Sequence, residues 1–239
     1  MLKNKKFLAA LSLLFVAIEI VLSVLIQKLP GEANKYVSYA SVALACLFLV
    51  LFAERSWEYL FTQVAMVMTL CADYFLVLPE KIEQFPAMIF FSVAQLAYFM
   101  RLYATTEKKG TKIFHVVFRL EFSIFAVILT FIVLRHLVDP VSVVSMFYFA
   151  NLIVNIIFAF SQFKKNYLFA IGLLLFSCCD LLIGFSFLEN YLEIEPGSIA
   201  YKLAHPGCNL AWMFYVPSQT LIALSLLPKR LRLRTAENA

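Results

Sequence analysis

Long apolar stretches, each bounded by charged residues or by Pro and Gly, follow one another along most of this 239-residue chain. A helix that crosses a membrane needs roughly 20 apolar residues in succession. A strand of a membrane β-barrel alternates polar and apolar residues, whereas stretches such as 171–176 are apolar on both faces. The sequence therefore predicts an all-α integral membrane protein. We expect a bundle of eight transmembrane helices, at roughly residues 7–27, 36–53, 57–78, 86–104, 113–134, 138–160, 167–188 and 208–227.

The composition agrees with this fold class. Hydrophobic residues make up 63% of the chain and charged residues 15%, against about 45–50% and about 25% in soluble domains. The spans leave too little chain outside the bilayer for a soluble catalytic module. We therefore expect one polytopic membrane domain over residues 1–239, with any chemistry among its helices. In a bacterium this protein would lie in the inner membrane.

The basic residues predict the orientation of the bundle, because cytoplasmic loops retain positive charge. Of the 20 Lys and Arg, five fall on one side, Arg119 falls within a span, and the other fourteen share the side of the N-terminus. We expect both termini in the cytoplasm. The net charge of +5 is then a consequence of topology, so it does not indicate a nucleic-acid partner. The fourteen are Lys3, Lys5, Lys6, Arg55, Arg101, Lys108, Lys109, Lys112, Lys164, Lys165, Lys229, Arg230, Arg232 and Arg234.

Four acidic residues fall inside predicted spans: Glu19, Asp73, Glu121 and Asp180. An Asp at the centre of a membrane helix costs about 2.5–3.5 kcal/mol on translocon scales, so such residues usually face the bundle interior and mark a site. Asp73 and Asp180 lie about five and eight residues from the outer ends of their spans, roughly 8 and 12 Å deep. Glu19 lies at nearly their level. We interpret Glu121 and Arg119 as members of a structural ion-pair network nearer the cytoplasm.

Other polar residues recur at helical spacing near the two aspartates. Ser177 lies one turn before Asp180, Tyr98 three residues after Gln95, and Gln219 four after Tyr215. Such spacing puts each pair on one helix face. Asn151 and Asn155 form a similar stripe with Tyr148 on the sixth span. Hydrogen bonds between helices are the simplest role for each of these residues alone, and a substrate-binding surface is the alternative. Pro217, inside the last span, predicts a kink and a cavity beside it.

The order and spacing of these residues resemble the YhhN-type lysoplasmalogenase family of eight-helix membrane enzymes. That family carries a Gly-Asp pair in helix 3, a His-x-x-Tyr in helix 4, a Ser-Asp pair in helix 7 and a Tyr-x-x-x-Gln in helix 8. Asp73, Tyr98, Asp180, Tyr215 and Gln219 stand at the corresponding positions, and the resemblance covers most of the chain. Three positions differ from the family pattern: Ala72 replaces Gly, Gln95 replaces His and Cys179 replaces Ser.

The resemblance implies hydrolysis of the vinyl-ether bond of a lysoplasmalogen, or of a related lysophospholipid, without a cofactor. This reaction needs one acid that is protonated and one carboxylate that stabilises a cation or activates water. We expect the deeper Asp180 to be the acid, because desolvation favours the neutral carboxyl, and Asp73, nearer water, to be the base; the roles could be reversed. Gln95, Tyr98, Tyr215, Gln219 and Ser177 would bind substrate and water.

Two other functions remain open at this point. The aspartates could carry protons or a cation in a coupled transporter, or the chain could be a catalytically silent lipid-binding relative, since an amide such as that of Gln95 cannot exchange a proton at neutral pH. No nucleotide motif and no His pair at metal spacing is present, so we expect no cofactor and no metal. We also expect no obligate protein partner. The acidic outer loop over 189–197 could form a lid.

Overall fold

A computed structural model of the chain describes residues 5–52 and 56–227. These residues form nine α-helices and one short 3-10 helix, Arg135–Leu137. Seven of the helices are long and apolar enough to cross a membrane, which confirms an all-helical, multi-pass architecture. In chain order the helices are α1 (Lys5–Lys28), α2 (Gly31–Phe52), α3 (Trp57–Val77), α4 (Gln84–Thr105), α5 (Lys109–Leu134), α6 (Pro140–Ser161), α7 (Phe163–Leu188), α8 (Ile199–Ala204) and α9 (Leu210–Leu224).

The eighth predicted span, 208–227, corresponds to the 15-residue helix α9. At about 1.5 Å per residue α9 is about 22 Å long, shorter than the roughly 30 Å of a bilayer's hydrocarbon core. Seven helices are therefore candidates for membrane spans by their length and composition, and the eighth span stays a prediction. Pro217 lies within α9, as expected. The six-residue helix α8 falls between the predicted spans. The orientation also stays a prediction, because Lys3, Arg55 and the basic C-terminal tail lie outside the described residues.

Six helices form a ring in which each packs on the next, in the order α2, α3, α4, α6, α7 and α9, and α9 closes the ring on α2. α1 packs outside the ring on α2 and α9, and α5 packs outside it on α6. Gly172 allows α7 and α9 to approach: a Cβ atom added to it would lie 2.8 Å from Ile222 Cγ1 and 3.2 Å from the Ser218 carbonyl oxygen. The carboxyl-bearing helices α3 and α7 are both members of this ring.

One narrow stripe of α5 is buried, and its other faces are largely exposed and apolar. The stripe recurs every three or four residues, as expected for one face of a helix, and most of its members are polar. Because an apolar surface gains little by leaving lipid, a peripheral membrane helix is held mainly by packing and hydrogen bonds. The buried members are His115, Arg119, Ser123, Ala126, Thr130 and Leu134.

The start of α6 is fixed by a capping box. The Asp139 carboxylate accepts from the backbone N–H of Ser142 over 2.7 Å, and the Ser142 hydroxyl accepts from the backbone N–H of Asp139 over 3.1 Å. Pro140 occupies the first helical position, where its missing N–H costs nothing. The loop after α7 is joined to this cap, because the Tyr191 hydroxyl lies 3.0 Å from Asp139 Oδ2.

Candidate functional site

Asp73 is buried on α3, and its carboxylate Oδ2 accepts a hydrogen bond of 2.6 Å from the Tyr215 hydroxyl of α9. A phenol that donates to a carboxyl is a charge-assisted partner when the carboxyl is ionised. The pair joins two helices that are 142 residues apart in sequence. Both residues belong to the set that the sequence singled out.

Asp180 on α7 has the corresponding partner on α6, since the Tyr148 hydroxyl donates to Asp180 Oδ2. The sequence placed Tyr148 in a polar stripe with Asn151 and Asn155 but did not connect it with Asp180. Its position three residues before Asn151, on the same helix face, is the signal that could have found it. Each aspartate is thus held by one tyrosine from a different helix.

Asp73 and Asp180 line the same cavity, of about 200 Å³, between α3, α4, α7 and α9. Tyr215 and Cys179 also line it, and the rest of its wall is apolar. The structure therefore brings together three of the predicted site residues, namely both aspartates and Tyr215. The apolar lining residues are Leu76, Val77, Ile82, Met88, Phe91, Ile183, Phe187 and Trp212.

The burial of the two aspartates is the reverse of the expected order. Asp73 is only 3% exposed, whereas Asp180 is partly exposed. The expectation was based on depth along the helix axis. The burial of a side chain is decided instead by the helices that pack against the helix face on which it lies. α3 packs on α4, and Tyr215 of α9 covers the Asp73 carboxylate, whereas Asp180 lies where α7 borders a second cavity.

Gln95 and Arg119 meet at Asn155 on α6. The Asn155 amide donates to Gln95 Oε1 over 2.9 Å, and Arg119 Nη1 donates to Asn155 Oδ1 over 3.0 Å. The guanidinium also lies over the ring of Phe99, with Cζ 4.5 Å from the ring centroid. Gln95 therefore contacts α6 and lines neither of the two cavities described here. The Asn151 amide makes a similar link from α6 to the Ser123 hydroxyl of α5.

The expected ion-pair network around Arg119 and Glu121 is wrong. In the described part of the chain neither residue forms a salt bridge. Arg119 is held by the amide of Asn155 and by a ring face, while Glu121, two residues further, points away from the buried stripe of α5 and is exposed. Residues two apart lie on different helix faces, which explains their separate environments.

Three further predicted residues lie outside both cavity linings. The Tyr98 hydroxyl lies 3.5 Å from the Met66 sulfur, and its ring packs against Phe169. The Ser177 hydroxyl donates to the Leu174 carbonyl of its own helix over 2.8 Å. Gln219 is buried on α9, and within residues 5–52 and 56–227 neither of its amide atoms has a hydrogen-bond partner. These residues lie in the interior near the aspartates, and their binding role stays a prediction.

Glu19 of α1 is a third buried carboxyl. Its Oε2 accepts from the Ser41 hydroxyl of α2 over 2.6 Å. Glu19 does not line either cavity, so it links α1 to α2 and lies apart from Asp73 and Asp180.

Arg101 is a buried cation that the sequence reasoning missed, because it was counted among the residues that set the orientation. Its guanidinium donates to Ser225 Oγ over 2.8 Å and lies over the Phe169 ring, with Cζ 3.9 Å from the centroid. A contact to Thr62 Oγ1 at 3.3 Å adds α3 to the cluster. Arg101 therefore ties α3, α4, α7 and α9 together at the end of the bundle away from the aspartates.

A scan against protein-family models gives a match to the YhhN family over residues 35–226. This match includes both aspartates, both tyrosines and most of the described helices. The chain belongs to the YhhN family. Comparisons with curated proteins and with solved structures returned no significant match. The membership therefore rests on the family model. In this YhhN chain the matched segment begins within α2, so α1 lies outside it.

The described residues of this YhhN protein contain no set of ligands for a metal ion. No three His, Cys, Asp or Glu side chains there converge in a way that could hold an ion. The groups available for chemistry at the cavity are the two carboxyls, the two phenols and the Cys179 thiol.

Proposed function

We propose that this protein is an intramembrane hydrolase that cleaves the vinyl-ether bond of a lysoplasmalogen, or of a closely related lysophospholipid. The observation that carries the proposal is the pair of carboxyls on one cavity, Asp73 and Asp180, each held by a tyrosine from another helix. Membership of the YhhN family is consistent with this activity.

The chemistry requires an acid and a base within one site. A proton is added to the outer vinyl carbon, which leaves an oxocarbenium ion at the carbon bonded to oxygen. Water adds to that carbon and loses a proton to the base, and the resulting hemiacetal separates into a fatty aldehyde and a glycerophospho-alcohol. Two carboxyls in unlike environments suit these two roles, and one water is consumed for each bond broken.

The burial of the two carboxyls favours Asp73 as the acid. Enclosure by protein makes ionisation more costly, so the more buried carboxyl is the one that keeps its proton. Asp180 is partly exposed and borders a second cavity, where it can stabilise the cation and accept the proton of the water. This assignment reverses the one expected from depth along the helices.

Buried polar atoms near the site suit the water that the reaction consumes. Gln95 Nε2 and both amide atoms of Gln219 are buried, and they have no hydrogen-bond partner within the described residues. Buried polar groups that lack a protein partner are commonly bonded to ordered water in proteins. We assign these amides the task of holding water behind the carboxyl pair.

The test is aldehyde release by the purified protein in detergent, supplied with alkenyl, alkyl and acyl lysophospholipids of one headgroup. We expect release from the alkenyl lipid alone, and a loss of 10²-fold or more in Asp73→Asn and in Asp180→Asn, about the contribution of acid–base groups. Glu19→Gln is the matched control, because it removes a buried membrane carboxyl that lies away from the cavity. Its rate should stay within about threefold of the original protein.

Full activity in both aspartate variants would contradict this mechanism. An absence of release from every lipid, together with substrate flux across liposomes driven by a proton or cation gradient, would replace it with the transporter function. An absence of both would leave a lipid-binding relative without catalysis.

A further inference from the structure

A second cavity, of about 370 Å³, lies between α4, α5, α6 and α7. Its wall is almost entirely apolar, with side chains such as Leu129 and Val133 of α5, Met146 and Phe149 of α6, and Leu181 of α7. The volume falls in the range of sites that hold small organic ligands, about 300–1,000 Å³. A water-filled site would need polar partners along its wall, so the lining favours a hydrocarbon occupant.

The second cavity meets the first one at Asp180. Four residues line both cavities: Met88, Asp180, Ile183 and Phe187. Asp180 is the charged member of this set, so a ligand that fills the apolar cavity ends beside the carboxyl pair. This arrangement would place the polar end of a chain-bearing ligand at Asp180 and Asp73.

The cavity opens sideways towards the bilayer. Val133 and Leu181 line it, yet they are 53% and 44% exposed, so the wall that they form is incomplete. α5 packs chiefly on α6 and leaves the gap towards α7 uncovered. At the outer end the cavity is bounded by Tyr191, whose hydroxyl is held by Asp139. The opening of the cavity therefore lies between α5 and α7.

We propose that this cavity binds the single hydrocarbon chain of a lysolipid that enters laterally from the bilayer. The function of Asp180 at its inner end rests on the proposed hydrolysis, but binding of the chain does not. A volume in the range of one small organic ligand fits one chain, whereas a two-chain phospholipid would leave its second chain in the membrane. The occupant is thus a single-chain amphiphile with its headgroup linkage at Asp180.

Gly184 supplies a clean way to fill the cavity. It lines the second cavity on α7, and a Cβ atom added to it would meet no atom within 4 Å. Leu also has a higher helix propensity than Gly, so Gly184→Leu should fill the space without breaking the helix. Leu174→Trp is the matched control, because Leu174 lies on the same helix, is 42% exposed and lines neither cavity.

The probe is a saturated 1-O-alkyl lysophosphocholine with a diazirine in mid-chain, which lacks the vinyl ether. After irradiation in detergent, peptide mapping should place the label on 129–134 of α5 and 141–149 of α6. We expect Gly184→Leu to lower this labelling at least tenfold and Leu174→Trp to leave it within twofold. If Gly184→Leu cannot be purified, Ser145→Leu fills the cavity from its α6 wall.

Two results would overturn the chain site: labelling that Gly184→Leu leaves unchanged, or equal labelling of the same peptides by a diacyl phosphatidylcholine carrying the same diazirine. The second result would assign the cavity to a bilayer lipid. Labelling as expected without aldehyde release would keep the chain site and contradict the hydrolase. Aldehyde release without labelling of these peptides would contradict the chain site alone.

Discussion

Tyr215 donates a hydrogen bond of 2.6 Å to Asp73, and so the last described helix, α9, positions a carboxyl of α3. Pro217 lies two residues beyond Tyr215 within α9. A proline in a helix interior removes one hydrogen bond of the backbone ladder. The site therefore depends on a short helix with a proline in its interior, which carries the phenol to the Asp73 carboxylate.

Tyr215→Phe should impair the proposed site more than the fold. The change removes the phenolic donor from the buried Asp73 carboxyl, and an unsatisfied buried acceptor typically costs about 1–3 kcal/mol. We expect aldehyde release to fall by 10-fold or more, with a modest decrease in thermal stability. Tyr74→Phe is the matched control, since Tyr74 adjoins Asp73 in sequence but is exposed. Equal losses in both variants would contradict a specific role for Tyr215.

The second prediction concerns the close contact of α7 and α9 in the bundle. Gly172→Ala brings a Cβ atom to 2.8 Å from Ile222 Cγ1 and 3.2 Å from the Ser218 carbonyl, and backbone atoms cannot move aside cheaply. Overpacking of this kind costs about 1–3 kcal/mol. Gly184→Ala meets open space and should gain up to about 1 kcal/mol from helix propensity. Thermal unfolding in one detergent should therefore show shifts of opposite sign.

Asn155 makes a third prediction, because it joins three helices with few atoms. Its amide donates to Gln95 Oε1 and to the Gln95 carbonyl, and its oxygen accepts from Arg119. Asn155→Ala leaves both partners buried without these bonds, so we expect a loss of about 1–3 kcal/mol in the free energy of unfolding. Asn190→Ala, in the exposed loop after α7, serves as the control. A loss no larger than that of the control would show that water replaces the lost bonds.

The sequence predicted the seven long helices well, because the length of an apolar stretch is a property of the chain alone. It also singled out Asp73 and Asp180, which the structure places on one cavity, since the cost of a carboxyl in a membrane does not depend on knowing its neighbours; their catalytic role stays a prediction. The partners could not be predicted in the same way. Tyr148 stands in a polar stripe with Asn151, but the sequence does not show which helix that stripe faces, and its pairing with Asp180 depends on how α6 packs against α7.

The burial of Arg101 and the greater burial of Asp73 than of Asp180 were not predicted, and both have the same explanation. Arg101 stands near a helix end, where a long cationic side chain usually reaches water, but α3, α7 and α9 enclose it. Asp73 is nearer a helix end than Asp180 and is nevertheless the more buried, because α4 and α9 flank it. Position along a helix is readable from sequence, whereas enclosure by other helices is a property of the assembled bundle.

The fourth prediction concerns the contact of Tyr191 with Asp139 and how the order of the loop after α7 depends on pH. Burial alone would raise the pKa of the Asp139 carboxyl, but hydrogen bonds from Ser142 and Tyr191 outweigh it and lower the pKa. A depressed pKa in the folded protein means that the stabilisation is present above the ordinary Asp pKa of about 4 and is lost as the pH falls through the folded value. The loop should therefore loosen only in acid.

Hydrogen exchange at the backbone amides of Tyr191 and Leu192, which donate to the Leu188 carbonyl, measures this loosening. Tyr191→Phe removes one of the hydrogen bonds that lower the pKa of Asp139, so the loop of this variant should loosen at a higher pH than that of the original protein. An identical pH profile would contradict the assignment.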